Sequence, residues 1–313
     1  MKSIKEKISV VIPLFNEAES LRELFSSIKA ALSESYEFEV IFVDDGSTDN
    51  SWDEISRLKN EYEQVKGIKF RRNYGKSTAL NEGFKLTTGE YVATMDADLQ
   101  DDPLEIPPMV DMLKDGFELV SGWKQKRQDP ITKTIPSLFF NFVTRISTGI
   151  KLHDFNCGLK VYKKEVVDRL NIYGEMHRYI PLLAHWDGYT KIGEKKVKHH
   201  ARKYGTSKFG ISRFINGFLD LITLLFINVY LQKPMHFFGS IGTISLFAGS
   251  AITIYLVILR LFFDQFLSGR PLLLFGILLI LLGIQFITIG LFGEMMYKNR
   301  HDRKDVNIQR ILD

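Results

Sequence analysis

The chain has 313 residues, of which 45% are hydrophobic and 25% charged, with a formal charge of +4 and a single cysteine. That composition belongs to a folded protein with room for one large domain plus an appendage, and it excludes a disordered tail. Cys157 alone permits no intrachain disulfide, so the fold must rest on its core and suits a reducing cytosol; a charge this small gives no reason to expect nucleic acid as a partner.

Met1 to Lys7 is charged and leads only into the short apolar run Ile8 to Leu14, interrupted by Pro13 and followed by Asn16, so it does not read as a signal peptide. Ile8 to Pro13 predicts a strand. Glu17 to Leu32 predicts a helix, because Leu21, Leu24, Phe25, Ile28 and Leu32 fall on one face. Phe38 to Val43 and a helix from Ser51 to Tyr62 repeat the unit. Gly67 to Phe70, Lys76 to Leu86 and Tyr91 to Met95 repeat it again, and Leu104 to Lys114 with Phe117 to Gly122 adds another. Strands alternating with helices predict an α/β fold with a mostly parallel sheet covered on both faces. Ligands of such sheets bind beyond the carboxyl ends of the strands. The polar segments Pro13 to Glu17, Asp44 to Ser47, Arg71 to Lys76 and Asp96 to Asp101 follow successive strands and should converge on one rim.

The composition then changes. Residues 1–210 read as a cytosolic α/β domain, and 211–233 as an amphipathic juxtamembrane segment with Phe214, Phe218, Leu221, Ile222, Leu225 and Phe226 on its apolar side. Residues 234–297 hold two runs, about 237–263 and 272–293, each long enough to cross a hydrocarbon core of about 30 Å. A basic tail, 298–313, carries Lys298, Arg300, Arg303 and Lys304, whereas the turn Asp264 to Arg270 is short and nearly neutral. By the positive-inside bias, both ends of an integral membrane protein with two spans are expected on the cytosolic side. Cations from Lys191 to Arg213 crowd the approach to this part and suit anionic lipid or a phosphorylated ligand.

Asp96-Ala-Asp98 closes an apolar run, and strand alternation would send both carboxylates to one side, with Gln100 and Asp101 just beyond. Two carboxylates with open remaining positions suit Mg²⁺ or Mn²⁺ bridged to a diphosphate. Asp44-Asp45-Gly46-Ser47-Thr48-Asp49 reads both as a capped turn and as acceptors for base N–H groups or ribose hydroxyls. The first strand is not followed by Gly-x-Gly-x-x-Gly and the chain has no P-loop, so phosphates are left to metal and basic side chains. His199 and His200 read as a basic strand end, Trp123 and Trp186 as packing residues, and Cys157 as a small buried one.

Together Val10-Val11-Ile12-Pro13-Leu14-Phe15-Asn16-Glu17, Val43-Asp44-Asp45-Gly46-Ser47, Arg72-Asn73-Tyr74-Gly75-Lys76 and Met95-Asp96-Ala97-Asp98-Leu99-Gln100-Asp101 resemble the inverting family 2 glycosyltransferases of GT-A fold. Within them, His153-Asp154-Phe155-Asn156-Cys157-Gly158-Leu159-Lys160 and Arg202-Lys203-Tyr204-Gly205-Thr206-Ser207-Lys208-Phe209 look like the polyprenyl-phosphate glycosyltransferases. The matches run from about Ile8 to Phe226. The resemblance implies that Pro13, Phe15, Glu17 and Asp44 hold the nucleotide, with Asp45 and Lys76 also on the nucleotide-sugar. It places Asp96, Asp98 and Gln100 on metal and diphosphate, Arg202, Ser207 and Lys208 on the acceptor phosphate, and Asp154 as the catalytic carboxylate alongside Asp98 and Arg202. The expected partners are a nucleotide-sugar, a polyprenyl-phosphate lipid and the membrane; a homo-oligomer is compatible with the sequence. A processive polysaccharide synthase is the rival enzyme, but two spans are few for a channel and its Gln-x-x-Arg-Trp motif is absent. An inactive membrane scaffold of the same fold is the other rival, against which the intact acidic and basic residues speak.

Overall fold

The structure is a computed structural model that describes residues 5–125, 141, 144–145, 149–172, 174, 176–201, 203–204, 234–263, 266 and 271–301. The chain forms two compact units, Met1–Asp220 and Leu221–Asp313. The expected amphipathic segment 211–233 lies outside the described residues, as do Arg202, Ser207, Lys208 and most of the basic tail.

In the first unit, β1 (Lys7–Leu14), α1 (Leu21–Leu32), β2 (Glu37–Asp44), α2 (Ser51–Glu61), β3 (Val65–Lys69), α3 (Lys76–Lys85) and β4 (Tyr91–Thr94) alternate. A 3₁₀ turn, Pro103–Glu105, leads into α4 (Ile106–Lys114) and β5 (Leu119–Trp123). Then come β6 (Lys160–Lys163), α5 (Lys164–Arg169), a second 3₁₀ turn at Met176–Tyr179, α6 (Ile180–Trp186) and β7 (Ile192–Lys196). Among the described residues the sheet runs β3-β2-β1-β4-β6-β5-β7. β6 is antiparallel to both neighbours and the other pairs are parallel. This is an α/β fold whose central strands β1 and β2 are apolar along almost their whole length because helices cover both faces. α1 buries the five apolar residues that the spacing indicated, each contributing about 2 kcal/mol of burial. On the opposite face α3 approaches so closely that a Cβ at Gly83 would stand 2.4 Å from Val11.

Three expectations shift. α1 begins at Leu21, the first of its apolar positions and four residues after the expected start at Glu17, because the N–H groups of Asn16, Glu17 and Ala18 bond Ser47, Ser51 and Asp49 across the rim. β4 stops at Thr94, so Asp96 and Asp98 sit in the turn beyond it, where Leu99 takes a left-handed φ of 59°. Strand alternation therefore does not set the direction of either carboxylate. β6 and β7 escape a reading by apolar runs: Lys-Val-Tyr-Lys and Ile-Gly-Glu-Lys-Lys are short and polar, and they are strands because β4 and β5 supply partners.

In the second unit, α7 (Pro234–Phe263) and α8 (Pro271–His301) contain the two apolar runs, and the stretches Pro234–Phe263 and Pro271–Met296 are long and apolar enough to cross a membrane. Glycines let their backbones meet: a Cβ on Gly242 would come within 2.7 Å of the Gly283 carbonyl oxygen, and one on Gly249 within 2.6 Å of that of Gly276. Large side chains such as Phe247, Leu261 and Leu274 point outward, more than two-thirds exposed, as lipid contact requires.

At the amino end of the sheet, Glu39 is buried between Ser9, Thr88, Lys66 and Lys7, accepting hydrogen bonds of 2.6 Å from Ser9 Oγ and 2.7 Å from the Thr88 N–H. Burial opposes its charge, but Lys66, Ser9 and Thr88 outweigh burial and hold it at about 2 rather than 4.5. A depressed carboxylate stabilises fully above its unfolded pKa and loses that contribution as the pH falls through its folded one. Glu39→Gln is therefore expected to cost about 2 kcal/mol at neutral pH, the scale of lost hydrogen bonds to a charged group, and to flatten the loss of stability between about pH 4.5 and 2. Thermal unfolding followed by circular dichroism across that range checks it; an acid limb as steep as the wild type's would refute it.

Candidate active site

The rim loops are tied to one another before any ligand arrives. Asn16 takes a left-handed φ of 56°, so that its N–H reaches Ser47 Oγ at 2.9 Å and its side-chain oxygen accepts the Thr48 N–H at 2.8 Å. Gly46, with φ +75°, passes under the third loop: a Cβ there would lie 2.4 Å from the Arg72 carbonyl carbon. Asp45 completes the clasp by accepting the N–H groups of Tyr74 at 2.7 Å and Gly75 at 2.9 Å. Burial pushes its carboxyl above the ordinary range while those two bonds pull against it. Asp44 is fully buried. Its Oδ1 accepts the Ser47 N–H, whereas its Oδ2 meets no hydrogen-bond partner among the described residues.

Asp96 and Asp98 stand on the adjoining loop. Lys76, the first residue of α3, is hydrogen-bonded and ion-paired to Asp96. Burial opposes charge on Asp96, but the cations Lys76, Lys124 and Lys160 outweigh it and bring its pKa down to about 2. Asp98 is largely buried and takes the Gln100 N–H at 3.3 Å. Behind them Asp101 and Lys124 form a buried ion pair at 2.8 Å, which leaves Lys124 raised in pKa by Asp101 despite its burial. The extension of β7 lies along this loop: Asp101 bridges to His199, and the His200 N–H bonds the Gln100 carbonyl at 2.9 Å. His199 and His200 thus belong to a strand end, as read from the sequence.

Because β6 runs antiparallel to its neighbours, the segment preceding it also arrives at this rim. A Cβ on Gly158 would stand 2.6 Å from Asp96 Oδ2, so the carboxylate occupies the space any side chain there would need. Asp154 is buried, and its Oδ1 accepts the Asn156 N–H at 3.0 Å. Lys160 is buried too, hydrogen-bonded to the Cys157 carbonyl and pushed down by burial. Cys157 is buried, with its thiol raised to about 12 by burial. Trp123 stacks on His153, ring centroids 4.2 Å apart, and so packs on protein.

Pro13, Phe15, Glu17, Asp44, Asp45, Lys76, Asp96, Asp98, Gln100 and the Asp154 loop are therefore brought to one rim, with Pro13 still within β1 and Phe15 and Glu17 half-buried just past it. Arg202, Ser207 and Lys208 lie outside the described residues. Lys124, Lys160 and Gly158 belong to the same constellation but were not assigned from sequence. Their signal was faint, since two are basic residues in a basic stretch and the third a lone glycine. Among the described residues no three His, Cys, Asp or Glu side chains gather as a complete ligand set. The two carboxylates alone fit an ion that takes its remaining ligands from phosphate oxygens and water.

A mostly parallel sheet with acidic and basic loops converging on one rim defines a GT-A glycosyltransferase. The chain belongs to the glycosyl transferase family 2, whose profile matches residues 9–170. A dodecaprenyl-phosphate galacturonate synthase from Rhizobium johnstonii is 38% identical over 300 residues, covering 93% of this chain and 87% of its own. An undecaprenyl-phosphate 4-deoxy-4-formamido-L-arabinose transferase from Yersinia enterocolitica is 33% identical over 315 residues, covering 98% and 94%. Among solved structures, glucosyl-3-phosphoglycerate synthase from Mycobacterium tuberculosis, crystallised with Mn²⁺, UDP-glucose and glycerol 3-phosphate, superposes with a TM-score of 0.56 at 21% identity. That match covers 71% of this chain and 80% of the other, and it shows a shared fold.

Gly158→Ala tests the cradle around Asp96. The added methyl must displace the carboxylate, so sugar transfer is expected to fall by about 10- to 100-fold, as for an ångström-scale misplacement. The melting temperature should move by no more than about 4 °C, the equivalent of ~1 kcal/mol. Wild-type turnover in the alanine variant would show that the position of Asp96 is not constrained by Gly158.

Proposed function

We propose that the protein transfers a hexose from a nucleotide-sugar to polyprenyl phosphate, with inversion at the anomeric carbon. The carrying observation is the extent of the similarity to the dodecaprenyl-phosphate galacturonate synthase, which spans 93% of the chain and so takes in both the rim and the two apolar helices. A UDP-sugar is the favoured donor because the two-span anchor resembles that of the bacterial undecaprenyl-phosphate glucosyltransferases; the buried Oδ2 of Asp44 is an acceptor suited to a base N–H, and Pro13, Phe15, Glu17 and Asp45 complete the nucleotide site.

In this reading Asp96 and Asp98, with Gln100 beside them, would hold a Mg²⁺ or Mn²⁺ ion. When bound, such an ion supplies Lewis-acid neutralisation of the diphosphate leaving group. Lys76 fixes Asp96, and Arg202, Ser207 and Lys208 take the acceptor phosphate. A phosphate monoester has a second pKa of about 6, so its oxygen is already an anionic nucleophile at neutral pH and needs no strong general base. The new bond from that oxygen to the anomeric carbon forms as the bond to the nucleoside diphosphate breaks, on the opposite face of the sugar. Asp154 orients a sugar hydroxyl or the acceptor rather than removing a proton.

The domain organisation follows the same reading: a catalytic domain through residue 210, an amphipathic segment to 233, a two-span hairpin to 297 and a basic tail. Lys298, Arg300, Arg303 and Lys304 favour the cytosolic side for the tail, and an even number of spans returns the catalytic domain to it. Anchoring confines the enzyme to the surface in which a polyprenyl chain dissolves, raising the local acceptor concentration.

The test is incubation of the full-length protein with undecaprenyl phosphate, Mg²⁺ or Mn²⁺, and each of UDP-glucose, UDP-galacturonic acid, UDP-N-acetylglucosamine and GDP-mannose, with mass measurement of the lipid. One glycosylated lipid monophosphate is expected, and Asp98→Asn should reduce its formation by at least about 100-fold, the scale of one lost electrostatic group. Sugar chains in place of a single transferred sugar would support a processive synthase, and a folded Asp98→Asn variant with full activity would sink the metal assignment.

A further inference from the structure

The carboxylate of Glu194 lies outside every role assigned above, although three hydrogen bonds converge on it. It sits in β7, whose register places it opposite Ser121 of β5. Its Oε1 accepts the backbone N–H of His153 at 2.8 Å and that of Asp154 at 2.9 Å, while its Oε2 meets His153 Nδ1 at 2.7 Å. Ser121 Oγ, from the facing strand, is 3.4 Å from the Asp154 carbonyl oxygen. Asp154 is thus held at both backbone ends by a pair of residues opposed in the sheet, and the stacked ring of Trp123 limits rotation of the preceding His153.

This arrangement is costly without a purpose. A loop before a short strand can solvate its own N–H groups, yet here a side chain that is largely withdrawn from water is spent on two of them. The chain just past β7 is tied to the loop bearing Asp96 and Asp98, because His199 bridges to Asp101 and the His200 N–H bonds the Gln100 carbonyl at 2.9 Å. β7 therefore fixes the Asp154 loop relative to the loop bearing Asp96 and Asp98.

We infer that Glu194 is a positioning residue for sugar transfer, setting the place of Asp154 through its backbone. The inference rests on the assignment of Asp154 to the reaction. It depends on the reach and acceptor geometry of the side chain rather than on its charge. Glutamine keeps the length and one carbonyl oxygen for both N–H groups, whereas aspartate keeps the charge and loses a methylene of reach.

The experiment compares Glu194→Gln, Glu194→Asp, Glu194→Ala, Asp154→Asn and the double variant Glu194→Ala with Asp154→Asn in the full-length protein, using undecaprenyl phosphate and the best donor of the panel above, with UDP binding measured alongside. Glu194→Ala is expected to lower kcat by about 10- to 100-fold, the consequence of ångström-scale misplacement, with the donor KM and UDP affinity within about twofold of wild type. Glu194→Gln should retain more kcat than Glu194→Asp, and Glu194→Ala should add little to the loss already present in Asp154→Asn. The inference is overturned by an alanine variant with wild-type kcat while Asp154→Asn is inactive, by aspartate outperforming glutamine, or by parallel loss of kcat and UDP binding in the glutamine variant. Full activity in Asp154→Asn would instead overturn the assignment of Asp154 on which it rests.

Discussion

The rim is built around the charge on Asp96, a carboxylate two-thirds withdrawn from water. Burial alone would favour its neutral form; three lysines, contributed by α3, by the chain following β5 and by the start of β6, reverse that preference. Each cation comes from a different part of the topology, so the charge on one carboxylate reports whether the whole first unit has closed. The crossing of β6 against its neighbours matters for the same reason, because it delivers Lys160 and the side-chain-free Gly158 to the end of the sheet where the parallel strands finish.

The clasp between the first three loops serves a related end. Backbone N–H groups of one loop are satisfied by side chains of the next, from Asn16 to Ser47 and from Tyr74 and Gly75 to Asp45. Polar groups that would otherwise bond to water are spent on preorganisation, leaving few to rearrange when a charged substrate enters. Asp44 is the exception: its buried Oδ2 meets no partner among the described residues.

Much of this could be read from the residues. Apolar runs located β1, β2 and β4, helical spacing identified the buried face of α1, and polar segments after strands pointed to the rim. The two apolar helices were plain because each run is long enough to cross a bilayer and nearly free of charge. The later strands were not legible, since Lys160–Lys163 and Ile192–Lys196 carry no hydrophobic signature and acquire their conformation from partners distant in sequence. For that reason Glu194 could not be seen as a grip on Asp154: the two are forty positions apart and only the pairing of β7 with β5 brings them together. The turn holding Asp98 was misread for a different cause, as the pleat predicts direction only while the ladder continues, and it ends at Thr94.

The glycine seam of the hairpin bears on where the product goes. Helices whose backbones touch at Gly242 and Gly283, and again at Gly249 and Gly276, enclose no lumen between them. Between these two helices of one chain there is no path for a sugar. A lipid-linked sugar made by this protein would then remain in the leaflet that furnished the phosphate, and crossing the bilayer would fall to other machinery.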